Sequence, residues 1–86
     1  MVEVLIELFT SPTCPHCVRA RQVVERVVEK LPGVVVIERE VTAPENAELA
    51  RQYGITAVPT MVINRRYVLA GVPSEERLLQ YISRAR

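Results

Sequence analysis

The spacing of apolar positions along the chain switches between alternation and steps of three or four residues, and each switch marks an element. From Val2 to Phe9 the chain alternates. Val4, Ile6 and Leu8 fall on one face, and Leu5 and Phe9 share the other with Glu3 and Glu7. Apolar residues on both faces predict a buried central strand. Glu7 stands out there. It reads as a solvated carboxylate on a poorly covered part of a sheet, with a proton acceptor near the thiols as the alternative. From Pro15 to Leu31 the spacing lengthens. Cys17, Ala20, Val24, Val27, Val28 and Leu31 line one side, while Arg19, Gln22, Arg26, Glu29 and Lys30 lie largely on the other. That pattern predicts an amphipathic helix, stopped by Pro32-Gly33. Arg21 and Glu25, four residues apart, form an opposite-charge pair worth about 0.3 kcal/mol on its surface.

Val34 to Val41 opens with β-branched residues and predicts a second strand. Thr42 and Glu45 have the spacing of a capping box, which predicts a second helix running to Tyr53 with Gly54 as its stop. Thr60 to Ile63 and Tyr67 to Ala70 predict a hairpin around Asn64-Arg65-Arg66, where Asn tolerates a positive φ. After Gly71-Val72-Pro73, Ser74 caps a last helix with Glu75 and Glu76 in its first turn and Leu78, Leu79 and Ile82 as its apolar stripe. The order is strand, helix, strand, helix, strand, strand, helix. A strand–helix–strand start implies a parallel pair with a right-handed crossover. The hairpin implies antiparallel pairing at the back. The fold class is therefore α/β, with a four-stranded mixed sheet and three helices in one domain, 1–86.

Composition changes this picture little. At 86 residues with 49% apolar content, one compact core forms without disulfide staples. Basic and acidic residues are interleaved to a net charge of +1, which argues against nucleic acid as a partner. Two glutamates interrupt the first apolar run and no basic segment precedes it, so it is not a signal peptide. No run reaches membrane-spanning length. The expected compartment is the cytoplasm, where a cysteine pair is redox-active rather than structural.

The chemistry is concentrated in Ser11-Pro12-Thr13-Cys14-Pro15-His16-Cys17, which holds both cysteines, the one histidine and two of the six prolines. With Pro15 as the first helical residue, Cys14 lies at the N-cap, facing unpaired N–H groups and the positive end of the helix dipole. Thiolate is favoured there, and thiolate is the nucleophile. Cys17, one turn further in, is the shielded resolving thiol. Pro15 and His16 tune the pair, and a protonated His16 adds positive charge. Arg19 and Arg21 near the helix start read as solvated side chains. The same two thiols also suit a soft ion such as Cu(I) or Zn(II). Zinc needs two more ligands, and only His16 is at hand. An unreactive structural pair is the third reading.

Cys14-Pro15-His16-Cys17 after a strand, Tyr53-Gly54-Ile55-Thr56-Ala57-Val58-Pro59-Thr60 some forty residues later, and Gly71 before a closing helix together resemble the thioredoxin/glutaredoxin superfamily. The chain is most similar to its short archaeal thioredoxin-like members. The resemblance covers essentially the whole chain. It implies a thioredoxin fold, Cys14 as attacking thiol and Cys17 as resolving thiol. It also implies a cis Pro59 against the disulfide, and a substrate surface of Thr13, Val58, Pro59, Gly71 and Val72. The Val58 backbone would pair with an extended substrate segment. The implied function is disulfide exchange with protein substrates by a monomer using no cofactor beyond its own thiols. Its electron donor would be a thioredoxin-reductase-like protein or glutathione. The chain also departs from the family. Leu8 stands where thioredoxins place a buried Asp, and the chain has no Asp at all. The Trp-Cys-Gly-Pro-Cys form is missing, and Pro-His between the cysteines resembles the oxidising periplasmic proteins instead. A glutathione-dependent glutaredoxin is the alternative, with Arg19 and Glu75 or Glu76 as anchors. A metal carrier is the alternative from another class.

Overall fold

The computed structural model describes residues 3–86. It contains β1 (Val4–Thr10), α1 (Cys17–Lys30), β2 (Val34–Glu40), α2 (Pro44–Gln52), β3 (Thr60–Ile63), β4 (Tyr67–Ala70) and α3 (Glu75–Ala85). The strands lie in the order β2-β1-β3-β4. β1 runs parallel to β2, from Val4 opposite Val34 to Thr10 opposite Glu40. It runs antiparallel to β3, which pairs antiparallel with β4. The mixed sheet and element order are those expected from the apolar spacing. Among the described residues no helix is long and apolar enough to cross a membrane. The expected start of the first strand at Val2 lies outside the described residues.

The central strand divides the core. Val4, Ile6 and Leu8 point to one face, where they meet Ala20, Val23, Val24 and Val27 of α1 and Leu78 and Ile82 of α3. Phe9 and Val62 point to the other, against Ala50, Leu49 and Tyr53 around α2. Each large side chain so buried contributes about 1.5–3 kcal/mol relative to exposure. Leu79 does not join the α3 stripe. It is exposed, and Tyr81 and Ala85 pack against the core beside Leu78 and Ile82, because the buried face follows helical steps of three and four from Leu78.

Two helix starts differ from expectation. The capping box of Thr42 and Glu45 does not form. α2 begins at Pro44, with Ala43 as N-cap and no side-chain cap, because proline with its fixed φ and missing N–H is best placed at the first helical position. At the other end Gly54 adopts φ 73°. Its N–H donates to the Arg51 carbonyl at 3.0 Å and that of Ile55 to the Ala50 carbonyl at 2.8 Å, a Schellman ending that needs a left-handed residue. The helix of the first thiol segment likewise begins at Cys17, not Pro15. The hairpin turn has positive φ at both Asn64 (50°) and Arg65 (59°). Ser74 caps α3 as expected, accepting from the Arg77 N–H at 3.1 Å.

Candidate active site

Cys14 and Cys17 are joined in a disulfide with their Cα atoms 5.5 Å apart. The loop that carries them is a pair of turns: the Cys14 N–H donates to the Ser11 carbonyl at 3.3 Å, and the Cys17 N–H to the Cys14 carbonyl at 3.4 Å. The first α-type bond runs from Ala20 N–H to the His16 carbonyl at 3.1 Å, so His16 is the N-cap and Cys14 lies two residues outside it. A bond closing over three residues is tighter than an α turn, and this one leads into the helix through Pro15. The electrostatic consequence survives the correction. The Cys14 sulfur is bonded to that of Cys17, the first helical residue, and so stays before the positive helix end. No acidic residue occupies the first turn of α1 to cancel it. Cys17 is 2% exposed and Cys14 only half-buried.

A groove of about 720 Å³ lies between the start of α1, the segment before β3 and the start of α3; it adjoins the thiol loop at His16, and neither cysteine lines it. His16, Val58, Pro59, Gly71 and Val72, all singled out in the sequence, line it. Thr13 and Pro15 are exposed in the loop and do not. The Val58–Pro59 bond is cis. The Thr60 hydroxyl donates to the Ala57 carbonyl at 2.8 Å, and the Gly71 N–H to the Pro59 carbonyl at 2.8 Å, fixing the segment from both ends. Gly71 has φ 82°, a conformation that disfavours any side chain. Among the described residues the Val58 N–H and C=O have no backbone partner. A second, apolar groove of about 320 Å³, lined by Val41, Ala50 and Ile55, lies on the other side of Val58.

Sequence reasoning missed Gln22, Arg26, Ala57 and Pro73 on the groove wall. The signal for two of them was present. Gln22 and Arg26 follow His16 and Arg19 at helical steps of three and four, so they share a face.

Three charge arrangements involve residues singled out in the sequence. Arg21 does not pair with Glu25 as expected. It forks onto Glu38 of β2, Nε to Oε1 at 2.6 Å and Nη2 to Oε2 at 3.0 Å, the planar bidentate match that a helix-surface pair lacks. Thr10 donates to the same carboxylate at 3.3 Å. The Arg21 bond holds the Glu38 carboxyl below the usual carboxylate range. Glu75 accepts from Lys30 at 3.2 Å and Arg26 at 3.0 Å, and those bonds, Lys30 first, lower its carboxyl too. It is therefore not a free anchor for a glutathione amine. Glu7 is not solvated. It is 1% exposed and accepts from Arg39 Nε at 2.7 Å and the Tyr53 hydroxyl at 2.9 Å, facing α2 and not the thiols. Among the described residues no cluster of three or more His, Cys, Asp or Glu is placed to hold a metal ion, and the carrier reading finds no support in the site.

Comparison with known proteins agrees with this geometry. A family described as a thioredoxin domain matches residues 2–83. Thioredoxin from Methanocaldococcus jannaschii is 46% identical over 98% of this chain and 98% of its own length. A probable thioredoxin from Archaeoglobus fulgidus is 44% identical over 92% and 86%. Among solved structures, a mutant thioredoxin from Halobacterium salinarum superimposes with a TM-score of 0.83 at 27% identity, over 98% of this chain and 75% of that one. The sheet order, the paired cysteines and the sequence all lead to one place: the chain is a thiol–disulfide oxidoreductase and belongs to the thioredoxin family.

Proposed function

We propose that this oxidoreductase exchanges disulfides with protein substrates, with Cys14 as nucleophile and Cys17 as resolving thiol. One observation carries the reading. The half-buried Cys14 lies two residues before His16, which lines a groove shared with Val58, a residue whose N–H and C=O have no backbone partner and are open to an extended segment.

In the reducing direction the Cys14 thiolate attacks one sulfur of a substrate disulfide. That S–S bond breaks, and the other substrate sulfur leaves as thiolate with the electron pair. Cys17, deprotonated in turn, attacks the Cys14 sulfur of the mixed disulfide and releases the second substrate thiolate. Two electrons pass to the substrate, and the protein is left with the Cys14–Cys17 bond seen here. A thioredoxin-reductase-like protein or glutathione returns the electrons, and the protein works as a cytoplasmic monomer. His16 favours the reduced form by placing a donor beside the thiolate, and Pro15 shapes the turn. His16→Gly should lower the reduction potential measured against glutathione, and an unchanged value would remove His16 from this role.

The test is insulin reduction by dithiothreitol beside removal of glutathione from a small mixed disulfide. Insulin reduction is expected to dominate, Cys14→Ser to abolish it and Cys17→Ser to accumulate mixed disulfides. Saturable glutathione-dependent turnover with little insulin reduction would overturn the choice of substrate. Faster alkylation of Cys17 than of Cys14 by iodoacetamide would reverse the two roles.

A further inference from the structure

We infer that the groove beside Cys14 selects substrate segments carrying a carboxylate side chain close to the target cysteine, and that Arg19 is the residue that reads it. The inference rests on the proposed protein substrate and adds a chemical class to it.

The groove's charges are unbalanced. Its charged lining consists of Arg19, Arg26 and Glu75, with His16 beside them. Glu75 is its one carboxylate, and both oxygens are already occupied, Oε2 by Arg26 and Oε1 by Lys30 from just outside. Those two bonds hold Glu75 in its charged form and also consume the charge of Arg26. Arg19 is left over. Among the described residues no carboxylate forms an ion pair with it. The positive end of α1, without an acidic residue in its first turn, adds to the same potential.

The groove also states the form of its occupant. Val58, whose N–H and C=O have no backbone partner among the described residues, is part of its lining, which fits an extended peptide more closely than a compact small molecule. Val23 and Val72 line it beside Arg19, so the methylene stem of a glutamate has apolar surface to lie on while its carboxylate meets the guanidinium. A small thiol with carboxylates of its own shares only the charge.

The experiment uses peptides with one cysteine held as a mixed disulfide to a chromophoric arylthiol, differing only in a neighbouring Glu, Gln or Lys. Release of the arylthiol by the reduced protein is timed. Reduction of glutathione disulfide is timed in parallel. The Glu peptide is expected to react about two- to fivefold faster than the Gln peptide, the range of one exposed ion pair. That advantage should shrink as salt rises. Arg19→Glu, a change on an exposed helix surface, should reverse the order and make the Lys peptide the fastest. Equal rates for the three peptides, or a preference that survives Arg19→Glu or high salt, would overturn the inference while leaving disulfide exchange intact. Glutathione disulfide outrunning every peptide would overturn the peptide occupant. No exchange with any peptide disulfide would instead overturn the function on which the inference rests.

Discussion

The two faces of the sheet are built differently. Toward α1 and α3, Val4, Ile6, Leu8, Met61 and Ile63 are all buried and form an unbroken apolar layer. Toward α2 the cover is thin. Phe9 and Val62 are buried there, but so is Glu7, and Val35, Ile37 and Val68 remain 39–48% exposed on the same face. Helix length explains it. α1 has 14 residues and α3 has 11, whereas α2 has nine, about 13 Å at 1.5 Å per residue. It covers Phe9 and touches one end of β2, and it leaves Val35, Ile37 and Val68 open. The thick face carries the chemistry, since α1 begins at Cys17. The thin face is where a carboxylate can be buried, because its partner Arg39 is still 24% exposed.

The largest test of this contrast is on the thick face. Leu8→Ala should cost about 2–5 kcal/mol in urea unfolding. A loss below about 1 kcal/mol would show that α1 and α3 can close over the gap, and the contrast would weaken. Next comes the buried carboxylate. Glu7→Gln leaves Arg39 and Tyr53 a weaker neutral partner and should cost about 1–3 kcal/mol. The double change Glu7→Leu with Arg39→Leu should recover most of that. Tyr53 reports on the same contact. Burial first, then the bond to Glu7 and its charge, push the phenol up from its ordinary value. The folded state thus holds that proton more tightly than the unfolded chain. The stability it contributes is complete below the ordinary tyrosine pKa and is lost as pH climbs through it toward the raised value. In Glu7→Gln, tyrosinate absorbance should rise at lower pH than in the parent. The smallest effect belongs to the open part of the thin face. Ile37→Thr should change stability by no more than about 0.5 kcal/mol, and a loss above about 1.5 kcal/mol would mean that something covers it.

What could be read from the sequence was what depends on near neighbours. β3 and β4 have the bounds their apolar runs suggest, Thr60–Ile63 and Tyr67–Ala70, because turn residues flank both. Ser74 could be named as a cap because its partner is three residues away. The cysteine pair was legible for the same reason. Glu7 was misread because Arg39 and Tyr53 lie 32 and 46 residues away, and no local pattern carries a contact that only the sheet creates. Arg21 was misread likewise. A partner four residues off was visible, but the bidentate one stands across the helix–sheet boundary. The start of α2 slipped because periodicity ignores Pro44, which suits the first helical position, and that of α1 because Pro15 and His16 sit in a tighter turn closed by the Cys17 N–H.

Asn64 makes three contacts that bear on the order of events in folding. Its side chain accepts from the Leu5 N–H at 2.7 Å and donates to the carbonyls of Glu3 at 3.2 Å and Ala85 at 3.1 Å. It thus clasps one end of β1 and the last turn of α3 to the hairpin. The Leu5 and Glu3 contacts close loops of 59 and 61 residues, and long loops gain their contacts only after shorter ones have formed. The clasp is therefore expected to form late, together with the β1–β3 pairing beside it. Weakening it should leave the rate of folding nearly untouched and shorten the lifetime of the folded state. The turn that looks like a simple reversal of the chain is thus expected to act as a brake on unfolding, which unfolding rates of Asn64→Ala in urea would measure.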